Sequence, residues 1–324
     1  MNIPINPKIF DEDVEQAPIR QGFGEGLVAA GEADERVVAM CCDLTESTKM
    51  DGFAKAFPKR FFEMGIMEQS SASVASGMAS MGKIPFVSSY AMFSPGRSWE
   101  QIRTTVCYNN SPVKIVGSHA GVSVGPDGGT HQAIEDIAIM RVIPRMTVIV
   151  PCDSIEARKA TIACAKTDSP TYIRLAREKT PIVTTEDTPF EIGKAQIFYR
   201  PQVDAKVGVI VCGGLVHNAM LAAHELESEG IGAVVMNLAT IKPIDREAII
   251  SLAKECGSIL TVEEHQAAGG VGSAVAEVLA EEHPTKMSFV GVRDEFGQTG
   301  TPDELIKHYG MDKDSIKEAV KKLL

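Results

Sequence analysis

The apolar runs of this chain are continuous rather than alternating, and that constrains its fold more than any single residue does. Residues 37–41, 85–90, 113–116, 146–150 and 171–175 read as strands buried on both faces, the kind found in parallel sheets covered by helices. Helical patterns fall between them, near 17–31, 68–82, 96–109, 131–141 and 153–166. A second series of strands, at 207–214, 232–238, 258–262 and 287–292, repeats the rhythm on a smaller scale. Residues 178–194 are Thr-rich, contain Pro and lack periodicity, as a linker would. The expectation is an α/β chain of two domains. The larger, residues 1–185, carries a mostly parallel sheet covered by helices; the smaller, residues 186–324, is a second α/β unit. A length of 324 residues suits that division.

Composition removes several function classes. Lys and Arg number 32 against 43 Asp and Glu, a net charge of −11, and no basic block interrupts the acidity. Nucleic acid is therefore not an expected partner. No run of 18 apolar residues would span a membrane, and the first residues carry neither the basic nor the apolar part of a secretory signal. None of the 7 cysteines is paired at CxxC spacing, which points to buried thiols in a reduced cytoplasm. No strand leads into GxGxxG or a Walker loop, so neither a dinucleotide nor a nucleotide fingerprint is present.

Chemistry is concentrated in a few segments. The glycine-rich stretch 118–132 leaves a strand and precedes a helical pattern, where open α/β sheets place ligands. It carries His119, Asp127 and His131. Their spacing is poor for zinc and better for hydrogen bonds to a polyhydroxylated substrate, with His131 expected at a helix N-terminus. Glu68 opens a helix of almost only small residues, smooth enough to pack closely and draw the carboxyl out of water, although a solvated helix-start glutamate is the plainer alternative. Tyr90 and Phe93 leave a strand and could stack on a flat ring or simply pack under a loop. Arg20, Ser47, Arg174 and Arg177 lie near strand or helix ends and offer forks and a hydroxyl suited to phosphate. The glycines at 269–272 open a helix that could bind an anion, but close helix packing is the stronger reading.

Taken together, Asp43–Ser47, Gly65–Gln69, Tyr90–Phe93, His119 with Gly125–Gln132, Leu175–Pro181 and Glu263–Gly272 resemble the transketolase family, in order and over nearly the whole chain. The family's diphosphate-binding domain, with its GDG…N metal motif, is missing, so the chain resembles the pyrimidine-binding plus C-terminal subunit of a split transketolase. The resemblance implies transfer of a two-carbon ketol unit from a ketose phosphate to an aldose phosphate, with thiamine diphosphate. It assigns Glu68 to N1′ of the thiamine aminopyrimidine, and Phe93, Tyr90, Asp43 and Arg97 to the surroundings of the cofactor. His131 and Asp127 match groups that bind substrate hydroxyls, with His131 counted beside Glu68 as catalytic. Arg20, Ser47, His119 and Arg177 match the sugar-phosphate cluster.

The resemblance further implies a separate diphosphate-binding partner subunit, Mg²⁺ (or Ca²⁺) held mainly through that partner, and no metal ligand here. A homodimeric core with two partner chains is expected. Gln69 in place of His, Pro126 before Asp-Gly and Gly96 in place of a third aromatic depart from the common pattern. A deoxyxylulose-phosphate-synthase-like subunit, a dehydrogenase beta-like subunit and a non-catalytic regulatory subunit are the alternatives. His119, where the synthases tend to carry an arginine, and the longer loop before Asp-Gly weigh against the first; the Asp-Gly-Gly-Thr-His stretch weighs against the second, and the intact set of Glu68, Phe93, Asp127 and His131 against the third.

Overall fold

A computed structural model describes residues 3–324. Its strands are β1 (Gln16–Pro18), β2 (Val37–Cys41), β3 (Phe61–Glu63), β4 (Ile84–Tyr90), β5 (Lys114–Ser118), β6 (Thr147–Ile149), β7 (Thr171–Arg174), β8 (Lys179–Pro181), β9 (Gln196–Tyr199), β10 (Ala205–Val211), β11 (Gly232–Asn237), β12 (Thr240–Lys242), β13 (Ser258–Gln266) and β14 (Lys286–Val292). The expected strands are all present within a few residues of their predicted ends. They build a 7-stranded sheet, order β3-β2-β4-β5-β7-β6-β12, and a 5-stranded sheet, order β14-β13-β10-β11-β9. The larger sheet is parallel except for β12 and the smaller except for β9.

Both faces of the larger sheet are covered, as continuous apolar strands require. Phe86, Val116 and Ile173 point to one side, packed under the helices Ile19–Ala33 and Ser154–Ala165. Val87, Ile115 and Tyr172 point to the other, under Ala72 and Ala75 of the helix Glu68–Ser80. The first two helices touch backbone to backbone. A Cβ on Gly22 would lie 1.7 Å from the Ser154 carbonyl oxygen, and one on Gly26 would lie 2.7 Å from that of Arg158.

Three expectations change. The linker carries regular structure: β8 pairs antiparallel with β1, and the Asp153 carboxylate accepts the N–H groups of Val183 (2.8 Å) and Thr184 (2.6 Å). The segment 96–109 is one α-turn, Trp99–Gln101, running into a π-helix, Ile102–Cys107. The helix expected at 131–141 begins only at Asp136. Tertiary bonds overrule helical spacing there, because Ala133 bridges Ala120 and Gln132 Nε2 donates to the carbonyls of Val122 and Gln298, both at 3.0 Å. Strand β12 also crosses back from the second half of the chain to complete the first sheet. Among the described residues no helix is long and apolar enough to cross a membrane.

The parallel strands β2, β3, β4, β5 and β7 end on one edge. The turns that leave them carry Asp43 and Ser47, Glu68, Tyr90 to Arg97, His119 to His131, and Arg177.

Candidate active site at the carboxyl edge of the larger sheet

Glu68 opens its helix and is buried, 2% exposed, so it is not the solvated helix-start residue. Its Oε1 accepts from Ser89 Oγ at 3.3 Å and its Oε2 from an Arg97 guanidinium nitrogen at 2.9 Å. The Arg97 guanidinium lies over the Phe93 ring, 4.9 Å from its centroid. Phe93 and Tyr90 are nearly parallel, 13° apart with centroids at 6.2 Å. A carboxylate withdrawn from water thus stands beside an aromatic shelf capped by a cation.

The second half of the site is cationic. His119 stacks on Tyr90, with centroids at 3.8 Å and planes 21° apart, and its Nδ1 is 2.8 Å from Ser118 Oγ. Burial lowers its pKa to about 3, helped by the nearby charges of Arg20, Arg177 and His131. The imidazole is therefore neutral, with Nε2 left for a ligand. His119 also has φ = 56°, a left-handed conformation that non-glycine residues hold only where surrounding structure enforces it.

Arg20 is pulled below its usual pKa, first by burial and then by Arg177. Its Nε donates to the Arg177 carbonyl at 3.0 Å and a terminal nitrogen donates to the Ser47 carbonyl. Arg177 in turn donates to the Val124 carbonyl at 2.9 Å and pairs with Glu178 at 3.1 Å. Both arginines hold turns together as well as adding positive charge. In an acidic chain this gathering of cations is a local inversion, and it suits an anion.

His131 meets Phe93 edge-on at 5.5 Å and Tyr90 at 6.3 Å, so it closes the aromatic shelf from the loop side. It does not sit at a helix N-terminus as expected, because the helix starts five residues later. Asp127 ends the 3-10 turn Val122–Asp127 and stays exposed. Asp43 has φ = 59°, and its N–H donates to Glu63 Oε1 at 2.7 Å, while Thr45 Oγ1 donates to Glu63 Oε2 at 2.7 Å. Glu63 therefore orders the turn that carries Asp43 and Ser47. The sequence gives it away only as a charged residue ending an apolar strand.

Two candidates resolve into structure. Arg174 is buried and spent: Nε on Asp136 Oδ2 at 2.8 Å, and a terminal nitrogen on the carbonyls of Glu264 (2.8 Å) and Ala133 (3.1 Å). It is no phosphate ligand. The N-terminus of the helix Val271–Glu282 is filled by the chain itself, since the Glu263 carboxylate accepts the N–H groups of Val271 and Gly272, each at 2.7 Å.

Comparison with known proteins fits this geometry. Residues 15–183 match the family of the transketolase pyrimidine binding domain, and residues 193–316 match the transketolase C-terminal domain. A chain of Methanocaldococcus jannaschii named for the C-terminal section of a transketolase is 44% identical, over 93% of this chain and 95% of its own length. The 6-deoxy-6-sulfo-D-fructose transketolase subunit of Clostridium sp. (strain MSTE9) is 38% identical, over 93% of each. The transketolase of Rattus norvegicus is 36% identical over 100% of this chain, which spans 51% of that longer protein. A split-gene transketolase solved as an inactive beta4 tetramer superposes with a TM-score of 0.88 at 43% identity, covering 95% of this chain and 98% of its own.

Proposed function

The chain belongs to the transketolase family, and from that premise we propose that it is the pyrimidine-binding and C-terminal subunit of a split transketolase, dividing near residue 185 into those two domains. Together with a diphosphate-binding partner subunit it would transfer a two-carbon ketol unit from a ketose phosphate to an aldose phosphate. The observation that carries this reading is the union, on one sheet edge, of the buried Glu68 carboxylate, the Tyr90–Phe93 shelf and the cation cluster around His119.

The residues fit thiamine diphosphate. A flat heteroaromatic ring with a protonatable nitrogen needs a desolvated carboxylate and an aromatic wall, and Glu68 with Phe93 and Tyr90 offers both. When bound, the cofactor supplies the carbon nucleophile. Glu68 would hold a proton shared with the ring nitrogen, with Arg97 and Asp43 beside it. Arg20, Ser47, His119 and Arg177 would bind the sugar phosphate. Neutral His119 can donate to a phosphate oxygen through Nε2 while Nδ1 rests on Ser118. His131, against the shelf, would move a proton at a substrate hydroxyl, and Asp127 would bind another hydroxyl. Mg²⁺ or Ca²⁺ would be held mainly through the partner.

An assembly of two copies of each chain around a homodimeric core is supported by a patch of exposed apolar side chains. Ile66, Met67, Val74 and Met81 lie on or beside the small-residue helix Glu68–Ser80. That a split-gene relative forms an inactive beta4 tetramer agrees with a chain that associates but lacks half of its site.

The reading is tested with Glu68→Gln and Glu68→Ala in the reconstituted complex. Ketol transfer should fall at least about 100-fold. Transfer at near wild-type rate would show that Glu68 does not activate the cofactor.

A further inference from the structure

The C-terminal domain supplies none of the residues assigned above, yet it shapes the loop that carries three of them. Glu264 on β13 is buried, 6% exposed, and its carboxylate crosses the domain boundary to accept the N–H of Ser123. That N–H lies in the first turn of the 3-10 segment Val122–Asp127, where backbone donors lack intrahelical acceptors. Gly121, at φ = 90°, leaves the carboxyl its room: a Cβ there would lie 2.3 Å from Glu264 Oε1. The other flank of the loop is cast against residues 297–302. A Cβ on Gly129 would come within 2.3 Å of the Gly297 carbonyl oxygen, and one on Gly128 within 2.7 Å of Thr299 Oγ1. Gln132 ties Val122 and Gln298 together, and Arg174 fastens the Glu264 carbonyl to that of Ala133 at the loop's far end.

We propose that Glu264 is a positioning residue for the phosphorylated substrate: from the C-terminal domain it fixes the turn at Ser123 and so holds His119 and the Val124 carbonyl, on which Arg177 rests, in their binding arrangement. His119 is the residue most in need of such support. Its left-handed backbone is disfavoured and persists only while its surroundings over-determine it. The Glu264 contact begins two residues further on, at Gly121, where relaxation of His119 would otherwise be absorbed. The inference rests on the ketol-transfer reading, and it gives the smaller domain a part in substrate selection.

The test uses the complex reconstituted with the partner subunit and compares three variants. Glu264→Ala removes the acceptor, Glu264→Asp keeps the charge but draws it back by one methylene, and Glu264→Gln keeps an acceptor oxygen in place. KM and kcat are measured with a ketose phosphate and with hydroxypyruvate, a short ketol donor without phosphate. In the Ala and Asp variants KM for the ketose phosphate should rise about tenfold or more, since small misplacements of binding groups are costly. KM for hydroxypyruvate should stay within about twofold, and Gln should restore most of the loss. A working wild-type complex whose Ala and Asp variants keep their KM would overturn the inference alone. So would equal losses for both donors, or an Asp variant that fails to fold beside a Gln variant that folds, because these mark a merely structural anchor. Absence of ketol transfer by the wild-type complex would overturn the functional reading and this inference with it.

Discussion

The turns at 118–132 and 267–272 share a glycine-rich composition and a place between strand and helix, but they differ in what fills them. In the second, the chain fills its own anion position: Glu263 takes two helix N–H groups, and Arg141 Nε donates to the Gly269 carbonyl at 2.6 Å. In the first, the neighbouring Glu264 takes one backbone N–H, while His119 and His131 rest their Nδ1 atoms on the adjacent hydroxyls of Ser118 and Thr130 and Arg20 and Arg177 supply charge nearby. Successive residues of a strand point to opposite faces. Glu263 and Glu264 thus serve two loops from one strand, one in each domain. Glycine permits a tight turn in both cases; on the proposed reading only the first, where polar groups are not all taken up by the chain itself, binds a ligand.

Removing each loop's support should separate the two. The largest effect is expected for Glu263→Ala, which orphans two buried N–H groups and should cost about 3 kcal/mol of stability. Thermal unfolding would record a fall in Tm, with KM for the ketose phosphate in the surviving complex near wild type. A large KM change would mean that the second turn also serves the site. His119→Ala should do the reverse: KM for the phosphorylated donor up about tenfold, about 1.4 kcal/mol of binding, with little change in Tm.

A third effect is in pH. His119 holds its pKa near 3 in the fold against an ordinary 6.5, so the unfolded chain takes up its proton first as pH falls. The stability linked to this group is complete above pH 6.5 and is lost progressively as pH drops toward 3. Denaturant unfolding of this chain between pH 7 and 4 should show the decline, and His119→Gln should flatten it. An NMR titration of His119 near 6.5 would contradict the burial argument.

Much of this was legible in the sequence, and the failures have physical causes. Continuous apolar runs mark buried parallel strands well, and the smooth helix after Glu68 is a local pattern, so both were found. The helical spacing at 131–141 exceeds the helix that forms, because Gln132 and Ala133 answer to partners away from their immediate neighbours. Strand β12 has three residues and pairs antiparallel across domains, which leaves no local trace. Arg174 was indistinguishable by position from Arg177, though one is spent on Asp136 and the other faces the cation cluster. Glu263 and Glu264 carry a signal of another kind. Two charged residues at the end of an apolar strand must have partners if they are buried, and here the partners are the two loops.

On the proposed reading all of these features lie on one half of a site. The measurement that tests the account most directly is ketol transfer by this purified chain, with thiamine diphosphate and Mg²⁺, alone and then with its diphosphate-binding partner. No transfer is expected from the chain alone, and transfer is expected from the pair. Transfer by the chain alone would contradict that reading.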